Sequence, residues 1–157
     1  MDFNRQITRR LHEEHEATLA RWGRLEQALA RLGSRPPAPE DLRLLRECLA
    51  ALADEVTRHF AFEESELFPR LDAAGEGDIA ELLAEEHESI RAAARRFGEL
   101  TPPGGDFAAS WPAVRALALE LAERLVSHVQ KEEMSLLPSL EDLLDEQTDQ
   151  ALAGSYV

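Results

Sequence analysis

The segment His59-Phe60-Ala61-Phe62-Glu63-Glu64-Ser65-Glu66-Leu67-Phe68-Pro69 returns in altered form as His128-Val129-Gln130-Lys131-Glu132-Glu133-Met134-Ser135-Leu136-Leu137-Pro138. Each copy sets a histidine and a glutamate four residues apart, then a leucine four further on. Val56 and Leu125 precede the two histidines by three residues. Steps of three and four mark one face of an α-helix. Both segments therefore read as helices whose apolar stripe is interrupted by the same polar pair. A shorter echo, Glu14-His15-Glu16 and Glu86-His87-Glu88, precedes each long one. The chain reads as two helical hairpins in tandem.

The intervening sequence supports this. Proline and glycine punctuate the chain at Gly33-Ser34-Arg35-Pro36-Pro37-Ala38-Pro39, at Ala73-Ala74-Gly75-Glu76-Gly77 and at Thr101-Pro102-Pro103-Gly104-Gly105. Each break has the length of a helix-helix connection, not of an interdomain linker. Helix starts are expected near Glu40 or Asp41, at Asp78 and at Ser110. Between the breaks run helical stripes, such as Ile7, Leu11, Trp22, Leu25 and Leu29 in the first and Val114, Leu117, Leu121, Leu125, Leu136 and Leu140 in the fourth. Short connections make consecutive helices antiparallel neighbours. The fold predicted is all-α, an up-down-up-down antiparallel four-helix bundle. One domain over residues 1–157 is expected, with its core at about 3–145, kinks near Pro69 and Pro138, and a frayed tail after about Gln147.

Composition narrows the function. At 157 residues the chain buries on the order of two thirds of its unfolded surface, enough for a core without disulfides. A formal net charge of -14 disfavours a nucleic-acid partner, and the same acidity argues against a basic helix lying on a membrane. No apolar run approaches a membrane span, and the polar start Met1-Asp2-Phe3-Asn4-Arg5 lacks a signal-peptide core. Cys48 is the single cysteine, which fits a reducing compartment. A cytoplasmic location is expected.

Each stripe has one gap where a core residue belongs. His15 fills it four residues after Leu11, and His87 four after Leu83. His59 with Glu63 and His128 with Glu132 fill the other two. Measured from the connecting turns, the four histidines fall at roughly one level, so the imidazoles converge in the bundle core. An isolated buried carboxylate costs several kcal/mol, against a net folding free energy of about 5–15 kcal/mol. Lysine and arginine are largely missing from these stripe positions, so a pair of cations is the compensation expected. Four imidazoles and two carboxylates suit iron, with manganese or zinc as alternatives. The ferritin-like pattern, in which glutamate and histidine lie three apart, is absent.

At Glu14-His15, at 59–69, at Glu86-His87 and at 128–138 the sequence resembles the hemerythrin-like family of HHE cation-binding domains. The resemblance covers roughly residues 3–145. It implies a four-helix bundle with two non-haem iron ions, carboxylate-bridged and potentially oxo-bridged. The implied metal ligands are His15, His59, Glu63, His87, His128 and Glu132. It implies a protein that binds or turns over O2, NO or H2O2. The alternatives are an iron- or oxygen-sensing or iron-sequestering module without turnover, and a reversible O2 carrier. In oxygen-carrying hemerythrins a second histidine follows the first on helix three by four residues. Here that position is Arg91, which argues against simple carriage and is expected to pair with an acid such as Glu88, or with a ligand carboxylate, or to face solvent. His12 is read as a surface or interface histidine, with substitute ligand or proton shuttle as the alternatives, and Glu64 and Glu133 as solvated surface, with an extra metal ligand as the alternative. Trp22, Phe60, Phe62 and Phe97 are either pocket walls or plain core.

Overall fold

Proline and glycine set the ends of the rods. The computed structural model describes residues 2–102, 104 and 109–156. Its helices are α1 (Gln6–Leu32), α2 (Pro39–Asp54), two π-helical stretches π1 (Glu55–Phe60) and π2 (Glu63–Leu67), α3 (Phe68–Ala73), α4 (Gly77–Leu100), α5 (Trp111–Met134), α6 (Leu136–Leu143) and α7 (Glu146–Ser155). Among the described residues there is no strand. Pro39 and Pro112 lie in the first turns of α2 and α5, where a missing N–H leaves no helical bond unmade. At the ends of the first and second rods, Gly33 (φ 57°) and Gly75 (φ 86°) take left-handed conformations that a Cβ would oppose. The Gly33 amide closes α1 by donating to Leu29 O at 3.1 Å. The third predicted connection lies partly outside the described residues, which omit Pro103 and Gly105.

Four rods form a ring. The first is α1, the second runs from α2 through π1 and π2 to α3, the third is α4, and the fourth is α5 with α6. α1 packs on α2 and α5, α4 packs on α3 and α5, and the order is up-down-up-down as predicted. Two apolar clusters fill the interior. One holds Trp22, Leu25, Cys48, Phe60, Phe97 and Leu121. The other holds Ile7, Leu11, Leu67, Leu83, Leu136 and Leu140. The polar gaps of the stripes lie between them.

A kink occurs in the fourth rod, and in both rods the irregularity lies ahead of the proline. A proline cannot donate to the carbonyl four residues back and crowds it. In the fourth rod α5 stops at Met134, Ser135 takes φ -129°, and α6 restarts with Pro138 in its first turn. In the second rod the helix widens instead, and π2 precedes Pro69. The two copies of the repeat thus meet the same constraint differently.

The predicted fraying of the tail is overturned. Beyond Gln147 the chain continues as α7, which packs along α1. The start of α1 carries no acid in its own first turn. Its free amides are satisfied from the other end of the chain: Gln6 N and Ile7 N donate to the Asp149 carboxylate at 2.8 and 2.9 Å, and Asn4 N to Glu141 at 2.7 Å. Such an anion at a helix N-terminus is favoured both by hydrogen bonding and by the helix dipole. Asp145 caps α7 by accepting from Thr148 N at 2.7 Å. These bonds, with buried Leu152 and Tyr156, fix the tail.

Candidate metal centre

The six polar side chains that interrupt the stripes come together. His15 is on α1, His59 on π1, Glu63 on π2, His87 on α4, and His128 and Glu132 on α5. All are buried, none more than 2 % exposed. They form two groups that share both carboxylates: His15, His59, Glu63 and Glu132, then Glu63, His87, His128 and Glu132. Within each group the inward atoms lie within 4.8 Å of one another. The carboxylates split their oxygens between the groups. Glu63 sets Oε1 at 2.7 Å from His59 Nε2 and Oε2 at 3.1 Å from His87 Nε2. Glu132 sets Oε2 at 2.9 Å from His15 Nε2 and Oε1 at 2.5 Å from His128 Nε2.

The outward nitrogens explain the orientation of the rings. His15 Nδ1 lies 2.7 Å from Glu133, His87 Nδ1 3.1 Å from Glu64, and His128 Nδ1 2.9 Å from Glu86. His59 Nδ1 lies 3.3 Å from Glu14 and 3.3 Å from the Tyr156 hydroxyl. An ionised carboxylate only accepts, so each Nδ1 carries the proton and donates it outward. In the neutral ring this leaves the Nε2 lone pair facing inward, toward other acceptors. His87 Nε2 and His128 Nε2 themselves meet at 3.1 Å. Glu63 Oε2 and both Glu132 oxygens receive no hydrogen bond, although imidazole nitrogens are close. Buried acceptors facing acceptors need a positive charge between them.

Two charges can serve, protons or cations. With protons alone the imidazoles become imidazoliums. Burial opposes charge on His15, but the Glu132 and Glu133 carboxylates outweigh it and hold the ring up at about 9. Burial also opposes charge on His128, and Glu132 and Glu86 lift it to about 10. Burial would raise Glu132, yet His128 and its neighbours pull it well below the usual carboxylate range. A cation between the Nε2 atoms and the shared oxygens meets the same need without protonating the rings. Each group offers it two nitrogens and two oxygens, a donor set suited to first-row transition ions. The residues present therefore fit a metal.

A model of the hemerythrin HHE cation-binding domain matches residues 6–140. The chain belongs to this family. As an HHE domain it is a metal-binding protein, and the matched span contains all six side chains. No curated protein matches the chain. The HHE match ends before α7, so Tyr156 lies outside the matched span.

The outer carboxylates of this HHE domain were not assigned from sequence. In the sequence Glu64 and Glu133 read mainly as surface, and Glu14 and Glu86 only as parts of a repeated triplet. The signal was adjacency. Neighbouring residues on a helix point about 100° apart, so a glutamate beside a core-facing residue aims at the next rod. Glu14 backs His59 and Glu86 backs His128 within their own hairpins, while Glu64 and Glu133 cross between hairpins. Three of the four end on a permanent cation: Glu14 on Arg58, Glu64 on Arg91 and Glu86 on Lys131. Glu133 ends on His12 at 2.8 Å. Burial opposes the ionisation of Glu14, but His59, Arg58 and Tyr156 bring it down to about 2. Arg91 pairs with Glu64 at 2.7 Å and Glu88 at 2.5 Å, and with neither shared carboxylate. Phe60 lies flat on His87 at 3.8 Å and Phe68 follows at 5.4 Å, so these two wall the site. Trp22 and Phe97 belong to the apolar cluster.

Proposed function

We propose that this protein holds two iron ions, one in each group, and uses them to bind or turn over O2, NO or H2O2. The observation that carries the reading is the division of Glu63 and Glu132, each giving one oxygen to either side. That is what a pair of bridging carboxylates requires. His15 and His59 would hold one ion, and His87 and His128 the other. Bound iron would supply an exchangeable coordination position and a store of electrons.

The chain's own residues prepare the site. The outer glutamates keep each Nδ1 protonated and each Nε2 free, which fixes both tautomer and ring angle. Phe60 and Phe68 cover the His87 ring with apolar surface. Arg91 is tied to Glu64 and Glu88, so it brings no third imidazole equivalent to the second group. The two groups have matching donor sets, which favours redox handling of a small ligand over the unequal sites of a simple oxygen carrier. We further read the chain as one domain acting in a reducing, cytoplasmic setting, on the strength of its single, buried Cys48.

The test is metal content and optical spectrum of protein made in iron-replete cells, before and after peroxide. About two irons per chain, near-ultraviolet oxo-to-iron bands and repeated loss of peroxide are expected. Two irons with no turnover would favour the sensing or sequestering reading. Zinc alone would remove the redox role.

A further inference from the structure

Tyr156, at the end of α7, is 2 % exposed. Its hydroxyl donates to Glu14 and lies 3.3 Å from His59 Nδ1. Its ring is fixed on several sides. Phe62 lies at 4.5 Å, and the guanidiniums of Arg10 and Arg58 at 4.7 and 4.9 Å from its centre. Arg10 also reaches back to the Tyr156 carbonyl oxygen. The backbone that carries the ring is anchored by α7 and by the Asp149 cap on α1. A side chain held at this many points acts as a rigid reference.

What it holds belongs to one group only. On the other side, the counterpart of Glu14 is Glu86, which backs His128 at 2.9 Å. There no tyrosine stands. The position is taken by the half-exposed Lys131 head, beside a cleft of about 360 Å³ that Glu86, Ser89 and Ser127 help to line. The repeat of the two hairpins therefore ends at the shared carboxylates and the first ring of glutamates. Beyond that ring the two groups differ.

We infer that Tyr156 is a positioning residue for the His15/His59 pocket alone, setting the His59 ring through Nδ1 and Glu14, so that the tail outside the HHE span tunes one of two otherwise matched ion sites. The inference rests on the two-ion reading above. The hydroxyl restricts rotation of His59 before an ion arrives, which lowers the ordering cost of binding. Partners one step behind a metal-ligating histidine typically change affinity by about 10–100-fold when lost.

The experiment uses cobalt(II) as the probe, with affinity read by competition against a chelator and the coordination sphere by the visible bands of the bound ion. The full-length chain is first titrated, then two single-pocket backgrounds. His128→Ala keeps the His15/His59 pocket, and His15→Ala keeps the His87/His128 pocket. Adding Tyr156→Phe retains the ring and its packing and removes the hydroxyl. In the His128→Ala background it is expected to weaken cobalt binding about tenfold and shift the bands. In the His15→Ala background it is expected to leave both unchanged. Arg91→Gln, which loosens Glu64 behind His87, serves as the mirror and is expected to act only in the His15→Ala background. An equal loss from Tyr156→Phe in both backgrounds, or no loss in either, would overturn the assignment. A full-length chain that takes up two cobalt ions alongside such a result leaves the two-ion reading standing. A chain that takes up fewer than two overturns both. Far-ultraviolet circular dichroism of each variant separates a lost contact from a lost fold.

Discussion

At the scale of the residue, the nitrogen that faces away from the pocket matters as much as the one that faces in. His128 Nδ1 donates to Glu86 at 2.9 Å, and without that acceptor the buried ring is free to take the other tautomer and point an N–H at the site. Glu86→Ala is therefore expected to lower metal affinity by about 10–100-fold while the chain stays helical, measured by chelator competition. Unchanged affinity would mean that the outer carboxylate is mere surface. The shared carboxylates have a stronger signature. Glu132 gives one oxygen to each group, so Glu132→Ala should cost stoichiometric binding of two irons per chain, and His59→Ala should cost at least the first ion. Two irons retained in either variant would sink the ligand assignment. All six inward residues were legible in the sequence because a histidine or glutamate on an apolar stripe has no cheap alternative. The outer four were not. A glutamate one position off the stripe is as often a solvated one, and only the path of the neighbouring rod tells the two apart.

At the scale of the element, periodicity and punctuation gave four rods correctly, but they missed two features for physical reasons. The first is the widening of the second rod. π1 and π2 carry His59 and Glu63, whereas their repeat partners His128 and Glu132 remain α-helical. Residue spacing cannot reveal an inserted hydrogen-bond step, and such wide turns cluster where side chains must be re-aimed at functional sites. The second is α7. Its segment 146–155 has little amphipathic pattern, and its stability comes from contacts over a hundred residues away in sequence, chiefly Asp149 with Gln6 N and Ile7 N. Asp149→Ala leaves the buried Ile7 amide without a partner, which costs about 1–3 kcal/mol for such a group, and turns the part-buried Gln6 amide over to water. A lower urea midpoint is expected, with proteolysis near the C-terminus appearing first because α7 loses its main anchor. If the urea midpoint is unchanged, the cap is incidental and the tail is held by Leu152 and Tyr156 alone.

At the scale of the whole molecule, the polar layer sits between two apolar clusters and sets the pH response of the bundle. Consider first the metal-free protein. His15 and His128 are held up at about 9 and about 10, above the ordinary 6.5. The stability they contribute is fully present below 6.5 and is lost as the pH rises through those values. Glu14 is held down at about 2, and Glu64, Glu86 and Glu133 also lie below the ordinary 4.5. Their contribution is present above 4.5 and is lost as the pH falls. The metal-free bundle is therefore expected to be most stable between about pH 4.5 and 6.5 and to weaken toward pH 10. Metal reverses the alkaline arm. A bound cation takes the place of the protons between Nε2 and the shared oxygens, so rising pH removes its competitor, and acid displaces it. Thermal midpoints of the two forms should converge at the acid end, where the metal is displaced, and separate as the solution becomes alkaline, with the loaded protein pulling away. Parallel curves would mean that the buried imidazoles do not exchange protons for metal, and the electrostatic account of the layer would fail with them.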